Sequence, residues 1–293
     1  MDGEIRIRAL RTIEEMYAVE DLQDLIWPKA ERLIVSATLQ LRMARSGGVV
    51  LGAFAEEELV GFVLGFLGTD ERSPGQVAMT RLQHCSHKLG VHPDFRGQGI
   101  AYHLKLAQRE AVVRQGVRLA TWTFDPLVSE NAHLNIRRLG AISRLYYPRH
   151  YGEMRDALNK GLPSDRLEVE WWLTSQRVKQ RLSGDRPALD LANYLGGGAV
   201  KINDALIGAG GLPHPERVEP RLEATILLLE IPHDVHQLKE ADMDLALEWR
   251  VHVRDILQDA FEDGYIVTDF VHIKGGPLPR SYYVLSHGDV RLG

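Results

Sequence analysis

Apolar and basic residues alternate from Ile5 to Leu10, the two-residue period of a half-buried strand, and Thr12-Ile13-Glu14-Glu15 follows with the spacing of a capping box. These signals predict a strand and then a helix to about Ile26. Trp27-Pro28 interrupts it, and Leu33 to Arg45 reads as a second helix that Ser46-Gly47-Gly48 ends. Two apolar runs, Val49 to Ala55 and Leu59 to Leu67, flank the acidic turn Glu56-Glu57-Glu58 and predict a hairpin. After a loop at 68–76 rich in Asp, Ser, Pro and Gly, Val77 to Val91 supplies a strand. His92 to Arg96 then turns, and Gly97 opens a helix whose residues Ile100, Leu104, Ala107 and Ala111 fall on one face.

Further on, Arg118 to Phe124 reads as a strand closed by Asp125-Pro126, and Ser129 is the expected N-cap of a helix from Glu130 to Leu139 with Gly140 as its left-handed end. Ile142 to Tyr147 and Leu167 to Leu173 are the next strands. From Thr174 to about Leu222 the periodicity weakens among glycines and prolines. The run Gly196-Gly197-Gly198 lacks the Lys-Ser/Thr of a phosphate loop and reads as a plain loop. Ala224 to Ile231 is then strand-like, and Leu245, Trp249, Val253, Ile256 and Ala260 mark one helix face stopped by Gly264. Tyr265 to Ile273 and Ser281 to Ser286 form a hairpin around Lys274-Gly275-Gly276-Pro277. The expected organisation is one domain at 1–175, a loop-rich linker at 176–222 and a small C-terminal α/β domain at 223–293.

A length of 293 residues suits two domains, and the formal net charge of −5 gives no pull toward nucleic acid or anionic membrane. Cys85 is the only cysteine, which excludes an intrachain disulfide and a thiolate metal cluster, so no metal is expected. No uncharged apolar run approaches spanning length, and the chain begins without a charged-then-apolar leader. The expectation is a soluble cytoplasmic protein, with a homodimer as the default assembly.

Chemistry concentrates in SHKLGVHPDFRGQGIAYHLKLAQREA, Ser86 to Ala111. The first amides of a helix have no intrahelical acceptor, and Gly97 and Gly99 carry no side chain to hold an anion away, so this turn can hold a pyrophosphate. The spacing Arg96-Gly97-Gln98-Gly99-Ile100-Ala101 is neither a P-loop nor a dinucleotide fingerprint. It resembles motif A of the GNAT superfamily of acyl-CoA-dependent N-acyltransferases, and the segment NAHLNIRRLGAI resembles that family's motif B, with Ala141 in place of the usual aromatic. The resemblance spans residues 4 to 175. It implies a mixed, mostly antiparallel central sheet flanked by helices, an α/β (α+β) fold. It further implies that Leu89, Gly90 and Val91 pair with pantetheine, that Arg96, Gly97, Gln98, Gly99, Ile100 and Ala101 hold the diphosphate, and that Asn131 and Asn135 face the cofactor, which is acetyl-CoA or succinyl-CoA.

Acyl transfer to an amine requires a held thioester, a neutral amine, a polarised carbonyl and a proton for the departing thiolate. An α-amine with pKa ~8 is neutral in roughly a tenth of molecules at pH 7, far more than a lysine side chain with pKa ~10.4, so it asks less of a base. Candidate bases are His84 and His87 on the strand entering the glycine turn, and Glu153 and Asp156 further on; His87 and Glu153 are preferred. Many family members carry a Tyr four residues before the motif B glycine, where this chain has Ile136, so the thiolate proton is expected from Tyr147, Tyr146 or water. Arg144, Arg149, Arg155 and Arg166 crowd the following segment, and a guanidinium pairs well with a carboxylate. The wording of this region is similar to a bacterial subgroup that includes amino-acid N-succinyltransferases, which implies Arg166 as a carboxylate ligand and a small-molecule amine, an amino acid, as acceptor. The competing reading is a non-catalytic acyl-CoA-binding protein.

Overall fold

The structure is a computed structural model that describes residues 5–28, 34–72, 74–153, 160–185, 189–208, 210–217, 224–275 and 278–287. It divides into two compact units. Of the described residues, the first takes those up to Trp122 together with Trp172–Thr174, and the second takes the others.

The first unit opens with strand β1 (Ile5–Ala9) and helix α1 (Ile13–Ile26). The capping box forms as expected, with the Thr12 side chain accepting from the Glu15 amide and Glu15 reaching back to the Thr12 amide. Helix α2 (Ala37–Arg45) is capped by Ser36, and the hairpin β2 (Val49–Ala55) and β3 (Glu58–Thr69) follows. A 3-10 turn at Ala78–Arg81 takes the start of the stretch expected as strand, so β4 begins at Leu82 and runs to Val91. Helix α3 (Ile100–Arg114) leads to β5 (Leu119–Phe124), whose residues through Trp122 belong to this unit. β1, β2, β3 and β4 pair antiparallel in that order, and β4 pairs parallel with β5. α1 and α2 cover one part of this sheet with Met16, Val19, Leu22 and Ile26 packed on Val50, Phe62 and Leu64, and α3 packs on β2, β3 and β4.

In the second unit, helix α4 (Ser129–Ala132) continues as a π-helical segment, His133–Arg138. Ser129 is not its N-cap. Its hydroxyl donates to the His233 carbonyl at 2.5 Å, and Val128 stands at the cap. β6 (Ile142–Tyr147) pairs antiparallel with β7 (Arg166–Trp172). The stretch expected as loop-rich linker carries α5 (Gln176–Ser183), α6 (Leu191–Gly196), β8 (Val200–Lys201), β9 (Asn203–Ile207) and β10 (Pro213–Arg217). Arg181 of α5 and Tyr194 of α6 both donate to Asp269, at 3.1 and 2.8 Å, alongside Arg137 at 2.9 Å; this long-range polar anchor is absent from any local pattern.

The remaining elements are β11 (Ile226–Ile231), α7 (Val235–Ala241), α8 (Met243–Glu262), β12 (Ile266–Ile273) and β13 (Arg280–Ser286). All five stripe residues of α8 are buried. β11 and β12 flank β13 antiparallel, β8 joins β11 in parallel, and β12 pairs with β6 at Val267 and Ser143. By their contacts residues 224–275 and 278–287 fall in one compact unit with β6. An open strand edge is invisible to sequence periodicity, which reads each strand's faces and not its neighbours. Both units are mixed α/β with mostly antiparallel pairing, as the sequence led us to expect.

Candidate active site

β4 holds the centre of the site in the first unit. Leu64 on β3 pairs with Lys88 and the next residue, Gly65, pairs with Ser86, so His87 is an extra residue, a bulge in β4. Past the bulge, Leu89, Gly90 and Val91 pair with Val63, Phe62 and Gly61. On the opposite edge the pairing with β5 is confined to His84 with Ala120 and Cys85 with Thr121. The main chain from Lys88 to Val91 thus keeps an open ladder edge on that side among the described pairings. Gly90 is demanded by packing as well: a Cβ there would lie 2.7 Å from Ile26 and 2.8 Å from Phe62. Lys88 donates to Gln23 at 3.0 Å and sits 4.4 Å over the Trp27 ring, which fastens this end of β4 to α1.

The turn after β4 is exposed from Arg96 to Gly99. Gly97 and Gly99 both have φ of +77°, a conformation costly for any residue with a Cβ, and nothing lies within 4 Å of where a Gly97 Cβ would be. The sequence reading started the helix at Gly97, but α3 starts at Ile100 with Gly99 as its N-cap and no side-chain cap. The amides of Ile100 and Ala101 are left facing this open turn, the arrangement that suits a diphosphate. Gln98 is exposed beside them, and the Arg96 guanidinium reaches back to the Val91 carbonyl at 3.5 Å.

The apolar stripe expected on α3 is interrupted by two polar residues that the sequence reading passed over, Lys105 and Gln108, both buried. Lys105 Nζ donates to Ser86 Oγ at 3.0 Å and Gln108 Oε1 at 2.8 Å, and lies 3.4 Å over the Trp122 ring. Burial holds its pKa well below the ordinary lysine value. His84 is also fully buried, 3.1 Å from the Gln108 amide; burial, then the Lys105 charge, pull its pKa down to about 3. Positions 105 and 108, three apart among apolar residues of one helix, were the available signal for this cluster.

The two candidate bases on β4 are therefore unlike. His84 is locked beneath α3, whereas His87 is exposed with its ring 6.0 Å from that of Phe66. Desolvation of its covered side, then the Lys88 charge, keep the His87 pKa below the ordinary value, so it is unprotonated at neutral pH.

The other predicted residues lie in the second unit. Tyr147 and Arg166 stand directly opposite one another across β6 and β7. The Tyr147 hydroxyl faces Glu168 at 3.4 Å and its ring stacks on His150 at 5.0 Å. Arg166 is buried, 3.6 Å from the Asp125 carboxylate and 5.3 Å over the Tyr151 ring. The Tyr146 hydroxyl donates to Asp165 at 2.7 Å, and burial, then the Asp165 charge, raise its pKa. Asp165 also accepts from Arg254 of α8 at 2.7 and 3.0 Å and from the Arg149 amide at 3.0 Å, which pins the chain around Tyr147. Arg144 pairs with Glu170 at 3.2 Å. Glu153 is exposed, as is Asn131, while Asn135 is buried. Ile136 and Ala141 are fully buried core residues. Arg155 and Asp156 lie outside the described residues.

Residues 13–140 match the family model described as Acetyltransferase (GNAT) family. The match covers less than half of the chain, and over this region the chain is similar to the GNAT acetyltransferases. No curated protein matches it. Among solved structures it is similar to the ribosomal-protein-S18-alanine N-acetyltransferase of Escherichia coli, at 13% identity over 57% of this chain and 92% of that one, with a TM-score of 0.42. It is likewise similar to Arabidopsis thaliana NAA60 in complex with acetyl-CoA, at 16% identity over 58% and 99%, with a TM-score of 0.46. An N-acetyltransferase from Staphylococcus aureus Mu50 is 16% identical over 58% and 99%, with a TM-score of 0.43. Among the described residues no helix is long and apolar enough to cross a membrane, and no group of three or more His, Cys, Asp or Glu is placed to hold a metal ion.

Proposed function

We propose that the chain transfers an acetyl or succinyl group from coenzyme A to the amine of a small molecule, an amino acid, by direct attack on the thioester. The observation that carries this reading is the open edge of β4 from Lys88 to Val91 running into a left-handed Gly97–Gly99 turn with uncapped helix amides beyond it. In this reading the β4 backbone receives pantetheine, and a main-chain N–H there polarises the thioester carbonyl. The amides of Gly97 to Ala101, with Arg96 and Gln98 beside them, take the diphosphate, and Asn131 and Asn135 complete the cofactor side.

The acceptor nitrogen attacks the thioester carbon, the C–S bond breaks, and one proton leaves nitrogen while one is delivered to sulfur. We assign the first proton to His87, whose lowered pKa supports a base already free at neutral pH, with Glu153 as a second acceptor further along. Tyr147 is the assigned donor to the thiolate. Arg166 is assigned to the carboxylate of the acceptor or of the acyl group, supported by its place opposite Tyr147. Residues 1–175 carry this chemistry in the cytoplasm. Residues 223–293 have a packing role without a second CoA site, a role supported by Arg254 holding Asp165.

The alternative is an acyl-CoA-binding protein without turnover, favoured by the buried Ile136 where many family members have a tyrosine. Thiol release from acetyl-CoA and succinyl-CoA, measured against a panel of free L- and D-amino acids, decides between them. Acceptor-dependent release names the enzyme and its acyl group; tight CoA binding with no release across the panel leaves the binding protein.

A further inference from the structure

The second unit holds a cavity of about 690 Å³, and none of the residues assigned to acyl transfer lines it. Its walls come from the β9–β10 hairpin, the end of β11, α7 and the facing ends of β12 and β13. They are mainly apolar, with Ile207, Leu212, Leu238, Ile273 and Leu278 among them. That volume lies within the roughly 300–1,000 Å³ of small-molecule sites, where apolar walls carry a few polar groups that orient the ligand.

The polar groups that a ligand can reach decide its charge. The Tyr282 hydroxyl and His233 Nδ1 are both sealed from solvent, so neither presents anything to a ligand. Glu230 is 1% exposed and its carboxylate is occupied, by Arg280 Nε at 2.5 Å and Nη2 at 2.6 Å and by the Ala205 amide at 3.0 Å. The same guanidinium reaches Asp204 at 3.3 Å, and Lys201 meets Asp204 at 2.9 Å. Two cations and two carboxylates therefore cancel around Arg280.

The charged group left over in the lining is Asp234, which is exposed. Its Oδ1 accepts from the amides of His236 and Gln237 as the N-cap of α7, and its Oδ2 has no hydrogen bond among the described residues. Asp234 also borders a smaller cleft of about 140 Å³ together with Glu130, and no Lys or Arg is among the described residues that line that cleft. The potential at this part of the wall is negative, which favours a cationic group on a ligand and opposes an anionic one.

We infer that the cavity binds a mainly apolar small molecule bearing one protonated amine, with its apolar body against the walls and its ammonium at Asp234 Oδ2. A carboxylated ligand is disfavoured, because Asp234 repels it and Arg280 is already shared between two carboxylates. The site is additional to the acyl-transfer reading and does not depend on it.

N-phenyl-1-naphthylamine, an uncharged fluorescent reporter of apolar sites, is titrated into the full-length chain and then displaced by decylamine, decanol and decanoate, which share an alkyl chain and differ in charge. The wild type is expected to bind the reporter saturably, with decylamine the strongest competitor and decanoate the weakest. Asp234→Asn keeps a capping side chain and removes the charge. It is expected to cost decylamine about three- to fivefold, as befits a solvated ion pair, and to leave decanol unchanged. Leu278 is exposed in the lining, so Leu278→Arg leaves the core intact and is expected to weaken the reporter and decylamine by about threefold or more. Four results would each overturn the inference: no saturable reporter binding to the wild type, displacement by decanoate as good as by decylamine, equal changes for decylamine and decanol in Asp234→Asn, or unchanged binding to Leu278→Arg with an unchanged circular-dichroism melt.

Discussion

The Tyr194 hydroxyl donates to Asp269 Oδ2 at 2.8 Å across 75 positions of the chain, and Arg137 and Arg181 close on the same oxygen. Asp269 is buried and receives two guanidinium groups, so removing it leaves two cations without their partner in a poorly hydrated site. Asp269→Ala is expected to destabilise the protein by about 3–5 kcal/mol in urea unfolding. Asp269→Asn, which keeps an acceptor for Tyr194 but no charge, should lie between that variant and wild type. Equal midpoints for all three would show that the anchor contributes nothing.

The glycine turn offers a direct test of nucleotide placement. Gly99 has φ of +77°, where a side chain costs roughly 1–2 kcal/mol, so Gly99→Ala should weaken CoA binding by disturbing the start of α3. Gly99→Glu adds a carboxylate beside the proposed diphosphate site and should abolish binding in calorimetric titration. Wild-type affinity in Gly99→Glu would place the phosphates elsewhere.

His84 makes stability depend on pH. Its folded pKa, about 3, lies below the ordinary value of 6.5, so between these limits the unfolded chain holds a proton that the native chain does not. The contribution is fully present above pH 6.5 and is lost as pH falls toward 3. His84→Gln should flatten the stability profile in this window by up to about 1.4 kcal/mol per pH unit relative to wild type. Parallel profiles would mean that His84 titrates as freely in the folded protein as in the unfolded one.

His87 should appear in the rate instead. With its pKa held below the ordinary value by partial desolvation and Lys88, the imidazole is a free base at neutral pH and loses that role only on the acid side. His87→Ala is expected to lower kcat/KM by about 10²–10⁴ and to remove the corresponding acid limb of the pH–rate profile. A variant that keeps the limb transfers the role of base to another group.

Local rules carried most of the elements into view. The Thr12–Glu15 capping box and the α8 stripe through Trp249 and Val253 need only residues within a few positions of each other, and both form as read. The glycine turn also forms, with Gly97 and Gly99 both at positive φ, although α3 starts at Ile100 and not at Gly97. Where the reading failed, a distant partner had intervened. Ser129 had the composition of an N-cap but gives its hydroxyl to the carbonyl of His233, 104 residues away. Lys105 and Gln108 interrupt an apolar stripe because Ser86, His84 and Trp122 satisfy them from other elements.

The sequence by itself determined the strand, glycine turn and helix of the proposed CoA site, because backbone conformation and helix capping are decided among neighbours. Only the tertiary structure decided that β4 keeps an open edge after Cys85 among the described pairings, and that α5 and α6 are tied to Asp269 through Arg181 and Tyr194. Each of those depends on which strands pair and which polar groups meet across long separations, and side-chain periodicity along one segment carries no record of what lies alongside it.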